Sequence, residues 1–216
     1  MSDATTAPIA VPVLFVTEPI VLPGMVVPIE LDEAARAAVD AAQAAAAAGE
    51  AGKLLIAPRL DDRYPTHGVL ASIVQVGRVP SGGTAAVVRG ERRAHIGSGT
   101  SGPGSALWVL VDEITETAAT DETRALAAEY KKLLLAILQR REAWQIVDAV
   151  NQISEPSALA DTAGYASYLT DVQKRELLET VDVAERLRRL VEWTGEHLAE
   201  GEVNDKIAED VRAGMD

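Results

Sequence analysis

Val21-Leu22-Pro23-Gly24-Met25-Val26-Val27-Pro28-Ile29 is the stretch whose reading decides the fold of the N-terminal half. Two short apolar runs flank a Pro-Gly pair. Proline presets φ for a turn, and glycine supplies positive φ where the turn needs it. The second run stops at Asp32, a good helix N-cap, ahead of Glu33 and an alanine-rich segment. The unit therefore reads strand, turn, strand, helix. Alternation along the second strand puts Val26 and Pro28 on one face and Val27 and Ile29 on the other.

Outward from that unit, residues 1–8 read as a frayed end and Val11–Val16 as a strand rich in β-branched residues. The first helix covers Glu33–Ala48, with Gly49 just past it as a C-cap, and its alanines allow close approach to a sheet. Lys53–Ala57 is a buried strand closed by Pro58, and residues 59–68 are a polar loop. Val69–Arg78 and Thr84–Val88 are strands joined by the hairpin signal Pro80-Ser81-Gly82-Gly83. Arg92–Ile96 is a further strand, residues 97–104 a flexible glycine-rich loop, and Leu107–Ile114 the last strand. Antiparallel pairing is expected from the hairpin.

Near residue 118 the pattern changes from strands to helices. Leu126, Tyr130, Leu133, Leu134, Ile137 and Leu138 follow the i, i+3, i+4 rule, giving a long amphipathic helix from Asp121 to about Arg141. A shorter helix spans roughly 142–152. Pro156 suits the first turn of a third helix that reaches Tyr165. Thr170 with Gln173, and Asp182 with Glu185, form capping boxes for two more. The last helix carries the stripe Val183, Leu187, Leu190, Val191 and Leu198, and Val203, Ile207 and Val211 continue its period beyond Gly201, which is a kink or a C-cap. Two parts are thus expected: a β-rich part, 1–118, and a helical part, 119–216. Together they make an α+β chain.

Composition narrows the functions. The chain has 216 residues, 48% hydrophobic, enough for one large or two small cores. Aromatics are 4%, so Val, Leu, Ile and Ala must build the core, with Trp108, Trp144 and Trp193 as rare large pieces. Without cysteine there is no disulfide or thiolate metal site, which suits a reducing compartment. The net charge is -13 and both halves are acidic, so a nucleic-acid backbone is repelled at long range. Arg89, Arg92 and Arg93 are the candidate basic patch, with an ordinary solvated strand end as the plain alternative. The N-terminus has no basic leader, and prolines break its apolar run, so neither a signal peptide nor a spanning helix is expected. A soluble, cytoplasmic protein with no membrane partner fits.

Four segments carry a family resemblance: Leu22–Pro28; Gly68–Gln75 with the Pro80–Thr84 turn; Glu155–Thr162; and Lys174–Leu187. The last two, Glu-Pro-Ser-Ala-Leu-Ala-Asp-Thr and Lys-Arg-Glu-Leu-Leu-Glu-Thr-Val-Asp-Val-Ala-Glu-Arg-Leu, are more specific than a generic capped helix demands. In this order and spacing they resemble the N-terminal domain of Lon, the ATP-dependent protease, over about Val11–Val211. The alanine-rich residues 41–52 and glycine-rich residues 97–104 depart from that pattern. The resemblance implies a β-rich subdomain of PUA-like topology followed by a helical bundle ending in a long helix. It also implies the biology of a cytoplasmic, homohexameric AAA+ serine protease that degrades misfolded and regulatory proteins. In that family the N-terminal region helps to catch substrates and to assemble the hexamer, while ATP, Mg and the Ser–Lys protease centre belong to domains further along the whole protein.

The residues themselves show no catalytic constellation. There is no Gly-x4-Gly-Lys-Ser/Thr motif, and the serines sit in no nucleophile elbow. His67, His95 and His197 are too scattered to be a ligand pair by spacing, which leaves only a tertiary cluster as a metal site. No catalytic, cofactor or metal residue is therefore expected.

A domain that selects unfolded protein needs exposed apolar surface. Met25, Pro28, Ile29 and Val87 are the candidate substrate patch, with plain core residues as the alternative. Val203, Ile207 and Val211 are the candidate contacts between subunits. The leading reading is recognition of unfolded or damaged proteins. The runner-up is an oligomerisation and spacer module with little substrate affinity. An RNA-binding module follows only from the PUA-like analogy, and the acidic charge opposes it.

Overall fold

The computed structural model describes residues 6–214. Most of the expected frayed end lies outside them. Two compact units appear: the chain up to Thr115 together with Asp171–Val181, and Glu116–Thr170 together with the chain from Asp182 onward.

The first unit is built on six strands: β1 (Ile9–Val16), β2 (Val26–Glu30), β3 (Leu54–Pro58), β4 (His67–Arg78), β5 (Thr84–Thr100) and β6 (Trp108–Glu113). They form one sheet in the order β2-β5-β4-β3-β1-β6, and β5 also pairs with β6, which closes the sheet on itself. Val11, Val13, Leu55, Leu70, Ala94 and Val111 meet in its core. Helix α1 (Glu33–Ala47) packs on β1 and β3, with Ala38 and Ala42 fully buried. Asp32 caps it by accepting from the Ala35 N–H at 2.8 Å, as the sequence predicts.

Three expectations need correction here. The expected antiparallel pairing holds except for β1 and β3, which run parallel, because helix α1 carries the chain back between them. The run Val21-Leu22 is buried but is not a strand. Its Pro-Gly turn does form, with φ of +87° at Gly24 and a Met25 N–H to Leu22 C=O bond of 3.2 Å. The flexible loop 97–104 starts too early, since β5 runs unbroken from Thr84 to Thr100. Gly90 and Gly97 look like breaks in sequence. In the structure they are close approaches: a Cβ at Gly90 would meet the Leu22 carbonyl oxygen at 2.9 Å, and one at Gly97 the Leu110 oxygen at 3.0 Å.

The second unit contains α2 (Asp121–Arg140), α3 (Trp144–Asn151), α4 (Pro156–Asp161) followed by a 3-10 turn (Thr162–Tyr165), and α6 (Val183–Ala213). Tyr130, Leu134 and Ile137 of α2, Leu187 and Leu190 of α6, and Leu159 of α4 are buried, and these helices pack on one another. Asp182 caps α6 by accepting from the Glu185 N–H at 2.8 Å. Helix α6 passes through Gly201 without ending there. Trp144, expected in the core, is 60% exposed.

Helix α5 (Asp171–Glu179) belongs to the sheet unit, so a single cut at residue 118 does not describe the packing. Arg93 on β5 is the reason. It is 1% exposed, and its Nε and Nη2 donate to the carbonyls of Leu178 (2.8 Å) and Leu177 (3.2 Å) in the last turn of α5. A cation there satisfies open carbonyls and opposes the helix dipole.

Candidate functional site

β2 is a five-residue edge strand paired on one side with β5, in the register Val26↔Arg89, Val27↔Val88, Pro28↔Val87 and Ile29↔Ala86. The Leu31 N–H bonds the Thr84 carbonyl at 2.8 Å, so odd-numbered residues of this strand turn their amides toward β5. Pro28 therefore has its missing donor on the free edge, where proline is tolerated.

Alternation then sorts the candidate residues. Val27 and Ile29 are buried, whereas Val26 is 41% exposed and Pro28 is exposed beside a half-buried Val87. Of the four predicted patch residues, Pro28 and Val87 come together as cross-strand neighbours. Met25 (2% exposed) and Ile29 (4%) are core residues, a correction to the predicted patch. Ile29 is the inward partner in the two-residue period, and Met25 is held in the turn, where its Sδ accepts from the Leu22 N–H at 3.2 Å. Val26 replaces them. The alternation already placed it beside Pro28, and that signal was sufficient to choose it.

Further apolar surface lies on the outer half of β4. Val74 is 51% exposed and Val76 37%. Val74 is the extra residue of a bulge, because the register passes from Ile73↔Val88 to Gln75↔Val87. No sequence signal marks that bulge. On the free side of β2, a groove of about 590 Å³ runs between Pro28–Glu30 and the end of β1, with Glu18, Asp32 and Arg59 on its walls.

The basic patch does not assemble. Arg93 is buried under α5, and Arg92 pairs with Glu113 at 3.5 Å, which leaves Arg89 exposed across from Val26 on the outward face. His67 and His95, far apart in sequence, are cross-strand partners with ring centroids 5.3 Å apart. Burial lowers the His67 pKa, and His95 and then Arg93 act in the same direction, while Glu179 opposes them. Among the described residues no group of three His, Cys, Asp or Glu side chains is placed to hold a metal. No described helix is long and apolar enough to cross a membrane. Val203, Ile207 and Val211 all lie on α6, each more than half exposed.

Comparison with known proteins converges on one family. The sequence model described as the ATP-dependent protease La (LON) substrate-binding domain matches residues 10–195. The chain is 73% identical, over its whole length, to a Lon protease of Mycolicibacterium smegmatis, of which it covers 27%. It is 51% identical over 95% of its length to a Lon protease of Salinispora arenicola, covering 26% of that protein. The chain thus spans about a quarter of the length of these relatives. Among solved structures, the N-terminal domain of a Mycobacterium avium complex Lon protease matches with a TM-score of 0.83 at 72% identity. That match covers 87% of this chain and 99% of the other. A Lon N-terminal domain protein from Xanthomonas campestris matches at a TM-score of 0.60 and 17% identity over 86% of this chain and 98% of that one, which supports the fold.

Proposed function

Since the chain belongs to the family of Lon substrate-binding domains, we propose that it captures unfolded polypeptide on the outward face of β2 and β5. In the whole protein it would deliver that polypeptide to ATPase and serine-protease domains of a cytoplasmic homohexamer. ATP and Mg are the cofactors of that motor and are assigned to no residue of this chain. The partners are unfolded or damaged proteins, with no role for nucleic acid or membrane.

The observation that carries this reading is the contiguous exposed strip of Val26, Pro28 and Val87 on the outward face of the edge strand β2 and its neighbour β5. A folded protein hides its aliphatic side chains, so a strip of this kind contacts mainly chains that have lost their fold. The test uses Val26→Ser with Pro28→Ser. Both positions are exposed, so the fold should survive. Binding of a permanently unfolded, reduced and carboxymethylated protein should weaken about tenfold, the scale of two lost apolar contacts. Unchanged binding in a folded variant refutes this face as the capture site.

The exposed stripe Val203, Ile207 and Val211, set among Glu202, Asp205, Glu209 and Asp210, favours a second role in assembly. Its occupant would be the same stripe of a second copy. Concentration-dependent self-association that Ile207→Ser abolishes, without any binding of unfolded protein, would put assembly first.

A further inference from the structure

The helical unit has a concave site that the sheet face does not explain. A cavity of about 570 Å³ opens among α2, α3 and residues 162–168, walled largely by Leu134, Ile137, Leu138, Ile146, Val150 and Ile153. An open apolar concavity of this size falls in the range of ligand sites.

Arg141 is the one charged residue among its described lining. Its guanidinium donates to the Ser167 Oγ at 2.9 Å, a neutral partner, in a chain with 33 acidic and 20 basic side chains. Several of its five N–H donors remain for an anion. The corner that sets it at the cavity is a tight one. Glu142 has φ of +55°, where glycine is usual, and the Ala143 N–H reaches back to the Leu138 carbonyl at 3.0 Å. Two of its lining residues are more than half exposed, Tyr165 at 59% and Ile146 at 52%.

The matching ligand has an apolar group and a carboxylate side by side. A polypeptide C-terminus ending in an aliphatic residue has both, and so does a fatty acid. Tyr165 and Ile146, exposed on the cavity wall, favour the polypeptide, because a chain leaving the cavity needs apolar contacts at its rim. We propose that this cavity receives the C-terminal residue of an unfolded polypeptide, its apolar side chain inside and its α-carboxylate on the Arg141 guanidinium. The proposal rests on the substrate-binding reading and adds a chain-end preference to it.

Calorimetric titration of this chain with a short synthetic peptide ending in Leu-Leu tests it, beside the C-terminal amide of that peptide and decanoate. The free acid should bind, and the amide about tenfold more weakly, the scale of one charge-assisted pair. Arg141→Gln should erase the difference between acid and amide. Ala149→Trp, at an exposed lining position, should fill the cavity and remove binding of the acid while leaving thermal unfolding unchanged. Competition between decanoate and the peptide supports a shared site. Failure of the free acid to bind, equal binding of acid and amide, insensitivity to Ala149→Trp, or binding of decanoate alone each overturns the proposal. Where the peptide test fails, the unfolded protein used on the sheet face separates the two readings. If it still binds, only the chain-end site has failed; if it does not, the substrate reading fails as well.

Discussion

Each of the two units buries an arginine, and the contacts that hold them differ. Arg93 in the sheet unit meets neutral carbonyls at the end of α5. Arg186 in the helical unit is 0% exposed and meets two carboxylates, Asp161 at 2.8 Å and Glu116 at 2.7 Å. The difference lies in what each leaves behind when removed. Without Arg93, two carbonyls lose donors at a helix end that water can reach if α5 lifts. Without Arg186, Asp161 loses its guanidinium partner inside the bundle, where its side chain is 4% exposed.

The largest effect is therefore expected at Arg186. Arg186→Ala should destabilise the helical unit by about 3–5 kcal/mol, read by urea denaturation through tryptophan fluorescence in a Trp108→Phe, Trp144→Phe background that leaves Trp193 as the reporter. The double change Arg186→Met with Asp161→Leu should recover most of that loss, because it removes both charges together. A double variant as unstable as the single one would show that packing, not stranded charge, sets the cost.

Arg93→Ala should cost less, about 2–3 kcal/mol, for the lost charge-assisted bonds. Its signature is local. Amide exchange should quicken across 171–179 while α2 keeps its protection, and uniform acceleration would contradict the docking role of Arg93.

A smaller contrast is expected with pH. His67 has its folded pKa below the unfolded value, so the unfolded chain takes up the proton first as pH falls through the ordinary imidazole range. Its contribution favours the fold at neutral pH, is lost on acidification through that window, and stops changing below the folded pKa. His67→Gln should flatten the pH dependence of the urea midpoint of the sheet unit and leave that of the helical unit unaltered. If the curve keeps its shape, His67 is not the titrating group.

The smallest effect is a gain. Glu142→Gly should stabilise the helical unit by about 0.5–1 kcal/mol, by relieving a side chain from left-handed backbone. A lower melting temperature for that variant would mean that the Glu142 side chain makes a contribution larger than the strain.

Much of this was legible locally. The Pro23-Gly24 turn, the alternation from Val26 to Ile29, and the caps at Asp32 and Asp182 each depend on residues within a few positions, and all four formed. The candidate patch was half legible. Pro28 and Val87 emerged as neighbours, yet Ile29 was chosen against its own alternation. Arg93 looked like solvated charge because nothing near it in sequence reveals the helix end that covers it. The β4 bulge at Val74 and the cavity beside Arg141 also left no local trace.

What the sequence by itself determined is the succession of elements, the change from strands to helices and the family, since each rests on periodicity, capping or residue order along the chain. Tertiary structure alone decided that β5 is one strand, that α5 joins the sheet, that two arginines are interior, and that apolar surface stays open on β2 and around the helical cavity. The physical reason is common to all of these. Burial and close approach are properties of residue pairs distant in sequence, such as Gly90 against Leu22 or Arg93 against Leu178, and a side chain carries no mark of the partner that will cover it.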